Sequence, residues 1–529
     1  MSTTTTSHAS GSSSDYTSPK RHTGIYTGHQ APSDMQKALA DSIRDMSHVR
    51  IRNSAFVGIM VDESLDIAVN KKLVMFAKIV YGGQLKIEYC ANVEIKDGKA
   101  ETVYSAIVNW RTSVGVSIKR VSGFGSDGAS VMTGKVSGVG VRLQRNNPRI
   151  IHVWCAAHRL ALVCYWAAKH VPYLARMQEI LIAIYNCFEY SAPRYNKIRE
   201  MKKIMGEKVK KFKKPTQVRW LSLQNSVDAV HDSCSALILS LDHEAATNNG
   251  EGGAKAKGIL KEIKTFKFIS TLCLLKDVLG ILCRVSKVFQ KDVIDVDQVD
   301  SMVNSTKATL SAFERIDPPH VEELIESVDE YGEYKGVNVD YSLRRRLEFT
   351  AVKRLFVQHI VRELCERFPE NDLLALKDLN KILNPKMLPA GANDLREHGV
   401  ESLERIVEKY QGGEDNLIER ERAFGQYIHF KFFLNSKRHM SVTDLCLLIS
   451  DSCIEQFPDF HVMANIFLTV PMTSVPCERG FSLQNQHINK STNRRSVSSV
   501  SNRMTIAFYR NKDDFDEVSV IQRAAQKFV

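Results

Sequence analysis

The sequence predicts an α/β protein in which a mixed sheet carrying crossover helices is followed by a long all-helical stretch. Strand-like runs crowd the early part of the chain in the order β-β-β-α-β-α-β-α, which builds a mixed sheet with helices on its faces. The middle of the chain shows helical periodicity and almost no strand signal. At 529 residues it is also longer than one compact core usually supports, so two or more structural units are expected.

Taken in order, residues 1–32 are rich in Ser, Thr and Gly, bury too little to offset ordering entropy, and are expected to form a disordered tail. Residues 33–50, "SDMQKALADSIRDM" onward, have a capping Ser33 and apolar residues at helical spacing, which predicts a lead-in helix. "AFVGIMVD" is almost wholly apolar, as a buried central strand is. "KLVMFAKIVY" and the alternating "QLKIEYCANVEI", separated by Gly82-Gly83, predict a hairpin. A helix around "AETVYSAIVNWRTSV" follows. Then come a strand "KRVSGFGSD", a helix "GASVMTGKVSGVGVRLQ", a strand "IIHVWC" and a helix "AAHRLALVCYWAAKHV". In the helical middle, "LDHEAATNNGEGGAKAKG" and "ERIDPPHVEELIESVDEYGEYKGVNVD" are expected to be largely loop.

A formal charge of +12 tilts the expectation toward a polyanionic partner. The eleven cysteines are scattered as singletons, which disfavours both a disulfide framework and a zinc ligand set and favours a reducing compartment. The polar N-terminus does not resemble a signal peptide, and no apolar run is long enough to cross a bilayer. An intracellular protein, nuclear or cytosolic, with no membrane partner is expected.

Two acids stand at the C-terminal ends of predicted strands, Asp62 after "GIMV" and Asp127 after "SGFGS", where α/β sheets place their sites. On neighbouring strands they would project from one sheet edge. Two divalent cations roughly 4 Å apart need such bridging carboxylates to activate a nucleophile and stabilise a leaving oxygen in phosphoryl transfer. Each acid alone also reads as a turn or cap residue. Near the far end, "SVPCERGFSLQNQ" opens a helix with a capping Ser474, Pro476 in the first turn and Glu478 where the helix dipole favours a carboxylate.

"MVDESLD", "GSDGASVM", "CAAHRLAL", "VRWLS" and "PMTSVPCERGFS", in that order, resemble the signature blocks of hAT superfamily DNA transposases and of host proteins derived from them. The resemblance extends from about Ala55 to Arg510. It implies a ribonuclease H-like mixed sheet interrupted by a large all-helical insertion domain. On that plan residues 51–200 form the first part of the ribonuclease H-like domain, 201–455 the insertion, 456–515 the closing segment with the dimerisation region, and 516–529 a C-terminal tail. It places Asp62, Asp127 and Glu478 on the three catalytic, metal-holding positions, with Mg²⁺ or Mn²⁺ as cofactor. DNA and a second copy of the chain are the implied partners. The apolar "FHVMANIFLTV" must be buried, within the chain or against a partner, and by resemblance contributes to self-association.

The other blocks carry two readings each. Cys155 and His158 lack a second ligand pair, so no zinc site is evident; they are a buried Cys with a satisfied His, or, by resemblance, they shape the site and contact the DNA end. Arg219 and Trp220 correspond to a family block associated with flipped bases, and a core role for the tryptophan is the alternative. The run "MKKIMGEKVKKFKKP" offers Lys210, Lys211, Lys213 and Lys214 as phosphate contacts or as a solvated face. Arg494, Arg495 and Arg503 form a second basic segment facing DNA or a partner subunit. Family members commonly begin with a BED-type zinc finger, and no Cys/His cluster of that kind precedes Asp62. Two functions are therefore expected in competition: a metal-dependent transposase, or a domesticated, non-catalytic protein acting through dimerisation and interaction.

Overall fold

The computed structural model describes residues 30–528 apart from 66–69, 205, 207–209, 216–219, 371–372, 413–415 and 489–494, so the expected N-terminal tail lies almost wholly outside the described residues. Five strands, β1 (Val57–Leu65), β2 (Lys71–Tyr81), β3 (Gln84–Glu94), β4 (Val121–Ser126) and β5 (Ile151–Trp154), form one sheet in the order β3-β2-β1-β4-β5. β1, β2 and β3 are antiparallel neighbours, whereas β4 runs parallel to β1 and β5 parallel to β4. The β2–β3 hairpin turns through Gly82 and Gly83 as expected.

β1 lies in the middle because it is apolar on both sides. Val57, Ile59 and Val61 pack with Val103 and Ile107 of the helix Ala100–Val114, while Met60 packs on the opposite face with Cys477 and Phe481. A strand covered on both faces has no polar alternation to show. The other end of the sheet merges with the helices. Val153, Cys155 and Leu160 belong to an apolar core that continues through the long helices Phe266–Phe289 and Leu343–Arg367 to Phe460 and Met472.

Several local expectations are revised. The first helix runs Ala31–Asn53 with proline in its first turn, so Ser33 lies inside it rather than capping it. "GASVMTGKVSGVGVRLQ" is two short helices, Ser130–Thr133 and Val139–Asn146, interrupted around Gly134 and Gly138. "LDHEAATNNGEGGAKAKG" lies mostly in the helices Cys234–Thr247 and Glu251–Ile263. Burial of Ala256, Ile259, Leu260 and Ile263 outweighs the poor helix propensity of its glycines. The second expected loop contains the helix Pro319–Ser327 and a small hairpin pairing Tyr334 with Val337.

"FHVMANIFLTV" forms most of the helix Pro458–Thr469, and its own chain buries it: Phe460, Met463, Ala464 and Ile466 are each 0% exposed. The Lys78 ammonium donates to the Val470 carbonyl at 3.1 Å, and the Ser122 and Thr469 hydroxyls are hydrogen-bonded at 2.8 Å. Strand residues Gly58 and Gly123 leave room for this segment, because a Cβ there would fall 1.9 Å from the Thr469 oxygen and 2.9 Å from Pro471. The helix is thus a layer beneath the sheet, and of the two expected ways of burying its apolar face the chain uses its own packing. Among the described residues no helix is long and apolar enough to cross a membrane, and all eleven cysteines are free, with only Cys365 exposed.

Candidate active site at the sheet edge

Register brings the two aspartates together. In the parallel pairing of β1 with β4, Met60 lies opposite Gly125, so Asp62 and Asp127 each stand two residues beyond one matched position. Met60 faces the side of the sheet on which the helix Val475–His487 packs through Cys477 and Phe481, and by strand alternation Asp62 shares that side. Glu478 is exposed in the otherwise buried first turn of the same helix.

Asp127 and Glu478 are near enough to act on Asp62. Burial, then the charge of Asp127, then that of Glu478, push the Asp62 carboxyl up to about 8, against a single opposing hydrogen bond from the Glu63 backbone N–H at 2.9 Å. Asp127 is held in a tight turn by the Ala129 N–H at 3.1 Å. A buried carboxyl raised by burial and by neighbouring acids is a pattern that clusters at functional sites. A divalent cation would supply a counter-charge, and oxygen-only donors suit Mg²⁺ or Mn²⁺. As they stand, no three carboxylate, imidazole or thiol groups among the described residues are gathered to hold a metal ion.

The helix start that carries Glu478 is fixed differently from the sequence expectation. The Ser474 side chain makes no capping bond. Instead the Ser474 N–H donates to Cys155 Sγ at 3.3 Å, and the Val475 N–H donates to Thr473 Oγ1 at 3.2 Å. Cys155 in turn donates its backbone N–H to the Ser126 carbonyl at 2.9 Å, and the Ala156 N–H donates to Met472 at 3.2 Å. Cys155 therefore ties the strand end next to Asp127 to the segment that launches Glu478. It is 0% exposed, which corrects its assignment as a DNA contact: the thiol is a joint inside the protein.

His158, one turn further along the helix Ala156–Lys169, is half-buried and stands within the field of Asp127. Burial lowers its pKa, Arg367 adds to that, and Asp127 opposes them, so the ring is neutral at pH 7. Trp154, which motif reasoning passed over, supports the other side of Asp127. A Cβ at Gly128 would lie 2.2 Å from the Trp154 ring, so only glycine lets the Asp127 turn rest there. Arg159 covers the same ring at 5.1 Å and donates to the Arg367 carbonyl at 3.1 Å. The clue was available in "IIHVWC", where Trp154 ends a strand beside the site.

Of the remaining candidates, Arg219 lies outside the described residues, and Trp220 opens the helix Trp220–His231. Lys210 and Lys211 are exposed but engaged, with Asp232 at 2.7 Å and Glu189 at 3.0 Å. Lys213 and Lys214 are exposed. In the second basic segment Arg494 lies outside the described residues, Arg495 donates to the His487 carbonyl at 2.8 Å, and Arg503 is half-buried.

Residues 8–138, which contain Asp62 and Asp127, match the family described as ZMYM1/FAM200, RNase-like domain. Residues 433–507, which contain Glu478, match the hAT family C-terminal dimerisation region. The chain is hAT-related. Its fold is accordingly the ribonuclease H-like mixed sheet with a helical remainder. The mouse protein named "52 kDa repressor of the inhibitor of the protein kinase" is 23% identical over 392 residues, covering 66% of this chain and 49% of the relative. The human protein of the same name is 23% identical over 391 residues, with the same coverage. The hAT-related chain thus spans about half the length of the curated relatives it matches, and its dimerisation region supports self-association.

Proposed function

We propose that this hAT-related protein binds DNA, self-associates, and uses Asp62, Asp127 and Glu478 for Mg²⁺- or Mn²⁺-dependent strand cleavage and transfer. The observation that carries the reading is the placement of Asp62 and Asp127 at matched ends of neighbouring strands, with Glu478 near enough that burial, Asp127 and Glu478 together push the Asp62 carboxyl up to about 8. A buried carboxyl with two further acids near it is unfavourable in a bare fold, whereas a divalent cation makes the arrangement favourable. The cation would polarise the scissile phosphate and stabilise the leaving oxygen. Asp62 and Asp127 would hold it from the sheet, and Glu478 from the helix that Cys155 keeps in place. His158, neutral and beside Asp127, is suited to donate a hydrogen bond to a phosphate oxygen.

The test is a nicking and strand-transfer assay on plasmid DNA with Mg²⁺ or Mn²⁺. Asp127→Asn is expected to lower activity by more than roughly 100-fold while leaving DNA affinity nearly intact, because it removes a ligand and no phosphate contact. Equal activity in the variant would sink the catalytic reading.

A second function competes, in which the chain is domesticated and acts through dimerisation and interaction. It is supported by the repressor named in the mouse and human relatives. Wild-type protein that binds DNA and dimerises in light scattering but never nicks DNA would favour it.

A further inference from the structure

The lysine run divides into two classes in the fold. The Lys202 side chain, 1% exposed, points inward: its ammonium donates to the Lys210 carbonyl at 3.1 Å and lies 4.8 Å over the Phe212 ring. Phe212 is itself buried against Phe188, with ring centroids 5.2 Å apart. Lys210 reaches Asp232 at 2.7 Å and Lys211 reaches Glu189 at 3.0 Å. Asp232, at the end of the helix Trp220–His231, also accepts from Lys276 at 2.6 Å, and the same ammonium donates to the neutral His231 ring at 2.9 Å. The backbone from Lys210 to Phe212 is therefore fastened on several sides. Lys213 and Lys214 emerge from it exposed, with no ion-pair partner among the described residues.

We propose that Lys213 and Lys214 are the phosphate-contacting pair of this loop and that Asp232, neutralised by Lys210 and Lys276, is the positioning residue that aims them at a nucleic-acid backbone. The inference rests on the DNA-binding reading above and refines it. Two cations held on an anchored loop keep their spacing, so binding costs less ordering entropy than it would for seven free lysines. The ion pairs that engage Lys210 and Lys211 also mean that each must break an existing bond before it can meet a phosphate.

The experiment is fluorescence anisotropy with a labelled duplex of arbitrary sequence over a range of salt concentrations, using the full chain. Replacing both Lys213 and Lys214 by Gln should weaken binding and reduce the slope of log K against log salt by about 2. Asp232→Asn gives a sharper result because two physical pictures predict opposite signs. If Asp232 merely adds negative charge near DNA, removing that charge strengthens binding. If it positions the loop, affinity falls, by about 3- to 10-fold, and Asp232→Glu restores it. Tighter or unchanged binding by a folded Asp232→Asn overturns the positioning role. Should that variant not fold, Lys202→Met, which removes the inner anchor and no exposed charge, must lower affinity in its place. Unchanged affinity and slope in the Lys213 and Lys214 variant overturns the proposal whatever Asp232 does. A wild-type chain without salt-dependent DNA binding instead refutes the broader reading, and this refinement with it.

Discussion

At the edge of the sheet, burial and two like charges push the Asp62 carboxyl up to about 8. Among the helices, burial also pushes Asp232 up, yet hydrogen bonds from Lys210 and Lys276 hold its carboxyl well below the usual range. The sheet edge leaves like charges near one another; the helical cluster surrounds Asp232 with cations, and burial and Lys276 push His231 down to about 4, so that it adds no further charge. The contrast separates a place that stores electrostatic repulsion, to be relieved by something that binds, from a place where the chain has already satisfied itself.

That contrast can be broken by substitution, and the two regions should respond with opposite signs. The largest effect is expected at the satisfied cluster. Lys276→Met removes an ammonium whose partner carboxylate has only 18% of its side chain exposed, and should cost about 2 kcal/mol, less than a fully buried pair because Lys210 remains. A lowered denaturation midpoint at pH 7 checks this; an unchanged midpoint would mean that the cluster is solvated rather than structural.

At the sheet edge an effect of the other sign is expected. Asp62 has a folded-state pKa above its unfolded value, so its contribution to stability is present in full below the unfolded pKa, near 3.8, and is lost as the pH rises through about 8. Asp62→Asn cannot ionise and escapes that loss. In metal-free buffer the variant should therefore gain stability relative to wild type as the pH rises from 4 to 9. Thermal melts of both proteins across that range test the sign, and a gap that closes with rising pH would contradict the like-charge picture. Arg479 gives the smallest effect. It neighbours Glu478 and pairs with Asp292 at 2.5 Å, but about half of each side chain is exposed, so Arg479→Gln should change stability by no more than about 0.5 kcal/mol.

What the sequence determined by itself was local: the apolar run of β1, the hairpin at Gly82-Gly83, the unbroken helical periodicity of Phe266–Phe289, and the acid types at Asp62, Asp127 and Glu478. These follow from propensity and spacing, which act over a few residues. The glycine-rich stretch before Ile263 misled for the same reason, since only its burial against other helices makes it helical. The tertiary structure alone decided which side chains serve the site. Cys155 is read as a joint because its thiol meets Thr473 and Ser474, 318 and 319 residues away. Lys202 turned inward because Phe212 and the Lys210 carbonyl receive it, and "FHVMANIFLTV" became a layer of the core because glycines in β1 and β4 leave it room. Such roles depend on partners brought together by packing across the whole chain, and the spacing of residues along the sequence does not record which distant partner closes each contact.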